Sequence, residues 1–319
     1  MVLAIFALVF GLILLVWSAD RFVNGASVTA KILGMPPLLV GMIVVGFGTS
    51  APEMLVSAIA ASNGNGGLAL GNAYGSNITN IALIIGLVAL ISPINVKSQV
   101  LKRELPILLA VTLFAGWQLF DYQLTRFDAW CLISIFVAVI GWSIYQAKRH
   151  PNDAFITSSE GSQLTFKQAI MWLIVGLIVL LIASRILVFG AVFIAQSLGV
   201  SDLVIGLTIV AVGTSLPELA SSLIAIKKGE HDLALGNVIG SNLFNTLMVT
   251  SIAALIQPMS IDSVFLSRDW TLMFVLTLAL LIFSIGLGIK RAGRINRIEG
   301  GLFLIIFCTY TVMLLKNTV

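Results

Sequence analysis

The sequence predicts an all-α polytopic membrane protein with ten transmembrane helices, in two inverted five-helix repeats in which helices 2 and 7 are broken or kinked. Three observations predict this fold: a highly apolar composition, a series of long apolar runs, and an internal repeat whose copies carry opposite loop charges. Of the 319 residues, 59% are hydrophobic and 10% are charged, whereas soluble domains have about 25% charged residues. A globular core of this length cannot bury so much apolar surface, so the solvent must be lipid.

Ten apolar runs are long enough, or nearly so, to span a bilayer, which takes about 20 residues or 17–25 with tilt. They cover residues 2–30, 36–62, 68–92, 105–120, 126–147, 168–197, 203–226, 233–256, 270–289 and 299–316. The fourth run is short, and the first and sixth are long. The first run lacks a preceding basic segment and a clear cleavage site, so we expect a membrane helix there and not a signal peptide.

The two halves of the chain repeat each other at a constant spacing of 165 residues. The matches are Glu53 with Glu218, Gly25 with Gly190, and GNAYGSNITN at 71–80 with GNVIGSNLFN at 236–245. One constant spacing over this distance is hard to obtain by chance, so the sequence predicts a duplicated five-helix unit. We expect a first repeat at 1–147, a cytoplasmic linker at 148–167 and a second repeat at 168–319.

An odd number of helices per repeat turns the second copy upside down in the membrane, and the loop charges agree with this inversion. With both termini outside, 14 of the 18 basic residues lie on the cytoplasmic side, as the positive-inside rule requires. They are Arg21, Lys31, Lys97, Lys102, Arg103, Lys148, Arg149, Lys167, Lys227, Lys228, Lys290, Arg291, Arg294 and Arg297. The sequence therefore predicts a multi-pass protein of the cell (inner) membrane, N-terminus and C-terminus outside, with an architecture typical of secondary transporters.

The net charge of +4 does not indicate a nucleic-acid ligand, because no tract of Lys and Arg with interleaved aromatic residues occurs. Cys131 and Cys308 lie in apolar runs, so we expect neither a disulfide nor a metal site from them. The expected partners are the lipid bilayer and inorganic cations. No cofactor and no required protein partner is evident.

The second run contains VGFGTSAPEMLVSA, and the seventh run repeats it as VAVGTSLPELASSL. Pro52 has no N–H for the carbonyl of Gly48, and Pro217 likewise leaves the carbonyl of Gly213 free. Free carbonyls at mid-membrane depth persist only where protein or a wet cavity surrounds them. The two motifs therefore predict broken helices that line a polar site.

Oxygen-bearing side chains accompany each proline. Thr49 and Ser50 lie within one turn of Glu53, so the three share a helix face, and the next helix adds a polar stripe spaced by four residues. The candidate side chains are Thr49, Ser50, Glu53, Asn72, Ser76 and Asn80 in the first repeat, and Thr214, Ser215, Glu218, Asn237, Ser241 and Asn245 in the second. All-oxygen ligands suit Na⁺ and Ca²⁺ and not zinc or copper.

The two glutamates favour a functional interpretation over simple helix packing. Each costs roughly 2.5–3.5 kcal/mol at a helix centre on insertion scales, and neither motif contains a basic partner. Two carboxylates would neutralise one Ca²⁺, and the same oxygens could hold Na⁺ when Ca²⁺ leaves. Such a site, open alternately to either side, is the physical basis of antiport. Asp20, Arg21 and Arg185 could line an entrance to the site, but we expect them to pair structurally or to snorkel.

The motif pairs GTSAPE with GNAYGSNITN, and GTSLPE with GNVIGSNLFN, resemble the two alpha-repeats of the sodium/calcium exchangers, within the cation/calcium antiporter superfamily, and in particular its short prokaryotic members. The resemblance implies four central ion sites and alpha motifs at 46–80 and 211–245. It implies ion coordination by Thr49, Ser50, Glu53, Ser76, Asn80, Thr214, Ser215, Glu218, Ser241 and Asn245, with help from the backbone carbonyls of Gly46 and Ala211. It also implies that helices 1 and 6 slide against the remaining core.

Asn245 departs from part of this family, because some members carry Asp there. With Asn at both 80 and 245 the site has two formal negative charges, which argues against potassium dependence.

We expect a secondary active antiporter that exchanges Na⁺ for Ca²⁺, and not an enzyme. A proton-coupled or other-cation antiporter with the same paired glutamates is the alternative. A membrane hydrolase using Ser50 or Ser215 would need a nearby base and an orienting partner, and neither motif contains His or Lys. A passive channel is a further alternative, which a counterflow assay would distinguish because a channel shows no obligatory exchange.

Overall fold

The computed structural model describes residues 1–97, 100–149, 164–200, 205, 209–285 and 293–316, which are almost entirely helical. The elements are, in chain order, α1 (Val2–Ile32), α2 (Pro37–Thr49), α3 (Ala51–Ser62), α4 (Gly66–Ile91), β1 (Ile94–Asn95), α5 (Leu105–Gln118), β2 (Gln123–Leu124), α6 (Arg126–Arg149), α7 (Phe166–Ser197), α8 (Ala211–Thr214), α9 (Leu216–Lys227), α10 (His231–Ile256), β3 (Met259–Ser260), α11 (Phe265–Ile285), β4 (Arg294–Ile295) and α12 (Arg297–Lys316). Short π-helical segments interrupt α2, α4 and α10.

Seven of the described helices are long and apolar enough to cross a membrane: α1, α4, α6, α7, α10, α11 and α12. The bent pair of α2 and α3 adds an eighth span if it is counted as one. The expectation of a helical, multi-pass membrane protein is therefore confirmed. Some expected features lie outside the described residues: 150–163 of the linker, 203–204 and 206–208 of the seventh run, 286–289 of the ninth run, and the basic residues Lys290 and Arg291.

Helices α1 and α7, which occupy equivalent places in the two halves, pack against each other in opposite directions. A Cβ atom at Gly25 would lie 2.5 Å from the backbone nitrogen of Leu173, and one at Gly190 would lie 2.7 Å from the carbonyl oxygen of Ala4. Late residues of α1 thus meet early residues of α7, and the reverse holds at the other end. Only glycine lets the two backbones approach this closely, as small residues do in membrane helix pairs generally.

Helices α4 and α10 form the centre of the molecule. Over the most apolar 18-residue stretch of each helix, 72% of α4 and 78% of α10 is buried. The corresponding share is 17–33% in the other candidate spans. Helix α2 packs along α10 in the same direction, since a Cβ atom at Gly41 would lie 3.0 Å from the backbone nitrogen of Asn237 and one at Gly46 would lie 3.0 Å from that of Ser241. This contact brings the proline motif of one half beside the GSN motif of the other.

Four glycines end helices at equivalent places in the two halves. Gly34, Gly64, Gly199 and Gly229 have φ angles of 64°, 77°, 80° and 76°, in the left-handed region that other L residues rarely adopt. The residue after each glycine donates its backbone N–H to a carbonyl five positions earlier, as in a Schellman motif. These glycines therefore determine where α1, α3, α7 and α9 stop.

Four two-residue strands depart from the all-α expectation. Strand β1 pairs antiparallel with β4, placing Ile94 opposite Ile295, and β2 pairs antiparallel with β3, placing Leu124 opposite Met259. Strands β1 and β3 follow α4 and α10, which are the third membrane helices of the two halves. Their partners β4 and β2 precede α12 and α6, the last membrane helix of the opposite half. The pairing satisfies backbone N–H and C=O groups at helix ends, where no intrahelical partner remains.

Candidate ion-binding site

Both proline motifs break a helix at the serine two positions before the proline. Ser50 separates α2 from α3, and Ser215 separates α8 from α9, with φ/ψ angles of −82°/1° and −90°/7°. Helices α2 and α3 are bent by 44° relative to each other. Pro52 and Pro217 lie in the first turn of the following helix, where the missing N–H has no intrahelical acceptor to lose. The helix breaks expected in the second and seventh runs are present.

Glu53 and Glu218 lie in the first turn of α3 and α9, and they are 0% and 1% exposed. The N-terminal end of a helix carries partial positive charge, so each helix break helps to stabilise the carboxylate that follows it. The two carboxylates interact electrostatically with each other, and Arg185 also acts on Glu53. The fold therefore gathers one carboxylate from each half of the chain into a single buried cluster.

Hydroxyl groups of the first half reach the glutamate region of the second. The Ser50 hydroxyl donates to Oε1 of Glu218 at 3.4 Å. The Thr49 hydroxyl lies 3.2 Å from Oδ1 of Asn237 and 3.0 Å from the carbonyl oxygen of Val45. Residue spacing indicates only which side chains of one motif share a face, whereas the structure combines the two motifs in one cluster.

Several oxygen atoms of this cluster are buried without a hydrogen-bond partner among the described residues. They are both carboxylate oxygens of Glu53, Oε2 of Glu218, Oδ1 of Asn80, Oδ1 of Asn245, and the hydroxyls of Ser215 and Ser241. Such an atom costs about 1–3 kcal/mol, and more if it is charged, and native proteins contain few of them. Their concentration in one place fits a cation, which would satisfy several of them at once.

The negative charge of the cluster comes from its two glutamates, and Arg185 acts on one of them. Among the described residues, no group of three or more His, Cys, Asp and Glu side chains is placed to hold a metal ion. The other candidate ligands are neutral hydroxyl, amide and carbonyl oxygens, which bind hard cations such as Na⁺ and Ca²⁺. The donor set therefore fits one divalent cation, or monovalent cations, better than it fits a transition metal.

The two predicted backbone ligands already accept hydrogen bonds within their own motifs. The carbonyl oxygen of Ala211 accepts from the Thr214 hydroxyl at 3.0 Å. The carbonyl oxygen of Gly46 accepts from the backbone N–H of Ser50 at 3.0 Å and, over a longer 3.5 Å, from the Thr49 hydroxyl. Since a carbonyl oxygen has two lone pairs, a cation at Gly46 would take the place of the long Thr49 bond.

One of the carbonyls released by proline is held by a neighbouring helix, which the sequence did not indicate. The Ser184 hydroxyl of α7 donates to the carbonyl oxygen of Gly213 at 2.9 Å. The residue equivalent to Ser184 in α1 is Ala19, which cannot donate. The link between α7 and the broken helix therefore belongs to the second half of the chain.

Asn80 and Asn245 lie in π-helical segments, Thr79–Ile85 of α4 and Phe244–Val249 of α10. Asn80 is 1% exposed and Asn245 is 0% exposed. A π-helical segment adds a residue to the turn and changes where side chains point, and such segments are frequent at functional sites. The four-residue spacing in the sequence did not predict them.

Asn77 and Asn242, which occupy equivalent positions in the two halves, are two further buried polar residues that the sequence did not single out. Nδ2 of Asn80 donates to Oδ1 of Asn242 at 3.0 Å, which leaves Oδ1 of Asn80 without a partner. The equivalent bond, from Nδ2 of Asn245 to Oδ1 of Asn77, does not form: neither atom has a partner among the described residues, while Nδ2 of Asn77 donates to the Thr246 hydroxyl at 2.8 Å. The signal that could have found this pair is the repeated GSN tripeptide, in which both residues occur.

Asn72 and Asn237 support the glutamates through the backbone. Nδ2 of Asn72 donates to the carbonyl oxygen of Glu53 at 3.0 Å, and Nδ2 of Asn237 lies 3.2 Å from that of Glu218. Asn237 is 1% exposed and also contacts Thr49, whereas Asn72 is only half-buried. The two supports are equivalent in sequence but differ in burial and in contact with the other half.

We expect Asn237→Ala to weaken cation binding more than Asn72→Ala. The first change removes buried polar contacts to both halves, including the contact with Thr49, and we expect about a tenfold loss. The second change affects a half-buried position and should cost a few-fold. Calcium binding to the purified variants, measured by isothermal titration calorimetry, tests this order. Equal losses in the two variants would contradict the role assigned to the contact between Asn237 and Thr49.

Comparisons with known proteins agree with one another. The family model described as "Sodium/calcium exchanger protein" matches residues 3–145 and 168–316. The putative antiporter CaxA of Alkalimonas amylolytica is 49% identical over 321 residues, covering 99% of this chain and 100% of that protein. The inner membrane protein YrbG of Escherichia coli is 43% identical over 288 residues, covering 87% of each. A solved structure of the sodium-calcium exchanger NCX_Mj, soaked with zero Na⁺ and Ca²⁺, matches with a TM-score of 0.85 and 32% identity, covering 98% of this chain and 99% of that one.

Proposed function

The chain belongs to the sodium/calcium exchanger protein family, a family of cation antiporters, and from this premise we propose that it exchanges Na⁺ for Ca²⁺ by alternating access. The observation that carries the proposal is the set of buried, unpartnered oxygens around Glu53 and Glu218. One Ca²⁺ would be neutralised by the two carboxylates. Na⁺ ions would use the same oxygens and therefore compete with it. Competition at one site couples the two fluxes in opposite directions.

Ion coordination is assigned to the side chains of both halves. They are Thr49, Ser50, Glu53, Ser76 and Asn80, with Thr214, Ser215, Glu218, Ser241 and Asn245, aided by the carbonyls of Gly46 and Ala211. Asn72, Asn237, Pro52 and Pro217 support them. The transported ions are substrates, and the proposal involves neither a cofactor nor enzymatic chemistry.

The proposed architecture is ten membrane helices in two inverted repeats, 1–147 and 168–319, joined by the linker. Two features support the inversion. Helices α1 and α7 occupy equivalent places yet run antiparallel. The loop ladders β1·β4 and β2·β3 each join the loop after the third helix of one half to the loop before the last helix of the other, and these loops reach the same membrane face only if the halves are inverted. Together with the loop charges, this supports both termini outside, and the similarity to YrbG suggests the inner membrane.

Residues on the two sides of the buried cluster differ in exposure, as alternating access requires. Asn72 is half-buried and Ala211 is exposed, whereas their equivalents Asn237 and Gly46 are buried. With the N-terminus outside, Asn72 and Ala211 belong to the outer half of the membrane, and Asn237 and Gly46 to the inner half. Alternating access would bury the first pair and expose the second.

Calcium uptake into Na⁺-loaded proteoliposomes, diluted into Na⁺-free buffer, tests the proposed exchange. Uptake that depends on the Na⁺ gradient supports it. Uptake driven by a pH gradient and not by Na⁺ would replace it with proton coupling. Calcium flux without a counter-ion would indicate a channel, and no calcium flux under any gradient would exclude Ca²⁺ as the cargo.

Asn245→Asp is expected to lower the Ca²⁺ concentration for half-maximal uptake several-fold. The new carboxylate adds a third negative charge where the Asn245 side chain has no hydrogen-bond partner among the described residues, and a charge about 4 Å from a cation is worth about 1 kcal/mol at a well-hydrated site. The concentration dependence of uptake measures the change. Asn65→Asp is the control, because Asn65 caps α4 outside the cluster and Asp caps equally well. An unchanged or higher half-maximal concentration in Asn245→Asp would contradict a ligand position.

A further inference from the structure

A groove of about 520 Å³ lies between the antiparallel pair α1 and α7 and the helices α2, α6 and α10. Every lining residue is apolar, and Phe47 and Ile174 are more than half exposed at its surface. The volume falls within the range of about 300–1,000 Å³ that is usual for ligand pockets. An apolar groove open to the bilayer can take only an apolar occupant.

A basic side chain lies between two tryptophans, next along the chain to two residues that line the groove. Phe22 and Leu173 line the groove, and their neighbours in the chain are Arg21 and Trp172. The Arg21 guanidinium carbon lies 4.9 Å from the ring centre of Trp172 and 5.9 Å from that of Trp17. Trp172 is six residues, or about 9 Å, into α7, which is the depth at which tryptophan and snorkelling arginine meet lipid headgroups.

Arg21 has no anionic partner among the described residues. Its Nε atom is buried without a hydrogen-bond partner. The adjacent carboxylate, Asp20, is engaged elsewhere, since its Oδ1 lies 2.8 Å from Nζ of Lys228. A stacked guanidinium with an unused donor is suited to a phosphate, which it can hold in a forked, charge-assisted contact.

We propose that this groove binds an anionic phospholipid, with the headgroup phosphate on Arg21 and an acyl chain along Phe22 and Leu173 towards Phe47 and Gly48. The charge and the shape of the site favour this occupant. A soluble phosphate would leave the apolar groove unfilled, and an uncharged chain would leave the Arg21 donor unpaired. The lipid would lie where α1 and α7 meet the core, one residue from Thr49. The consequence for transport rests on the proposed function, whereas lipid binding does not.

Native mass spectrometry of the delipidated protein tests the proposal without a transport assay. The titrants are phosphatidylglycerol and phosphatidylcholine with identical chains, and glycerol 3-phosphate is the soluble competitor. The variants are Arg21→Gln for the headgroup and Ile140→Trp to fill the groove from α6. Lys31→Gln is the control, because Lys31 is an exposed basic residue near the end of the same helix. Melting temperatures in detergent establish that each variant is folded.

The native protein is expected to bind one phosphatidylglycerol about tenfold more tightly than phosphatidylcholine, since both lipids offer a phosphate to Arg21 but phosphatidylcholine also brings a cationic choline group close to the guanidinium. Arg21→Gln should abolish the preference, Ile140→Trp should weaken both lipids, and Lys31→Gln should change neither. Equal binding of the two lipids, a preference that survives Arg21→Gln, or binding unaffected by Ile140→Trp would overturn the proposal. Displacement of the lipid by glycerol 3-phosphate would overturn it in favour of a soluble phosphate.

Discussion

Replacing Glu53 or Glu218 by Gln is expected to reduce Na⁺-driven Ca²⁺ uptake at least about 100-fold. Each change removes one of the two formal charges of the cluster, and the loss of a charge beside a bound cation is worth several kcal/mol in a partly desolvated site. Gln keeps the shape of the side chain, so packing around the break is preserved. Uptake by proteoliposomes, normalised to the amount of reconstituted protein, measures the loss.

The folded state should tolerate both changes. The two carboxylates are buried together, and both oxygens of Glu53 have no hydrogen-bond partner among the described residues. Neutralising one of two adjacent buried carboxylates removes a destabilising interaction, so the melting temperature in detergent should stay the same or rise. Loss of uptake together with unfolding would mean that the glutamates are needed for structure and would argue against the ligand assignment.

Glu299→Gln is the matched control for the two site variants. Glu299 is a glutamate that is 7% exposed, and its Oε2 accepts from the backbone N–H of Asn296 at 2.7 Å. Gln retains an oxygen that can accept this bond. Uptake should therefore remain near the native level. A comparable loss in Glu299→Gln would show that any buried glutamate is required, whatever its position.

Replacing Gly176 by Leu is expected to force α1 and α7 apart and to abolish uptake. A Cβ atom at Gly176 would lie 2.6 Å from the backbone nitrogen of Phe22 and 2.8 Å from its Cα atom. Backbone atoms cannot rotate aside as a side-chain end can, so the whole helix must shift. Overpacking of this kind costs about 1–3 kcal/mol or more, and we expect the melting temperature in detergent to fall by about 5 °C or more.

Gly141→Leu is the control for helix glycines in general. Gly141 is exposed on α6, and no described atom lies within 4 Å of a Cβ added there. The change should leave the melting temperature within about 2 °C of the native value, because exposed substitutions usually alter stability by less than about 0.5 kcal/mol. If Gly176→Leu were as stable and as active as Gly141→Leu, close contact between α1 and α7 would not be required.

Much of the fold could be predicted because it depends on local chemistry. The apolar runs indicated helices in lipid, and the described helices agree with them within a few residues at most ends. Pro52 and Pro217 predicted breaks because a missing N–H and a ring act on their own turn of helix. The positions of Gly34 and Gly199 could not be assigned a role from the spacing alone, but both proved to be helix ends with a positive φ.

The four short strands could not be predicted from the local sequence. Ile94 and Ile295 pair only because helix ends from the two halves lie side by side. Neither loop has a hairpin partner nearby in the chain, which is the usual signal for a strand pair in a sequence. The predicted membrane class was correct, but the sequence did not predict the ladders β1·β4 and β2·β3.

The sequence by itself determined the membrane class, the repeat, the helix breaks, and the residues that bear the cluster's oxygens, because each depends on composition or on spacing within a few turns. Only the tertiary structure decided that Ser50 meets Glu218 and that Thr49 meets Asn237, and that the supporting residue Asn72 is more exposed than its equivalent. The two halves of a duplicated sequence look equivalent. Their packing differs, because this arrangement of the helices covers the side of the cluster at Asn237 and leaves the side at Asn72 more exposed.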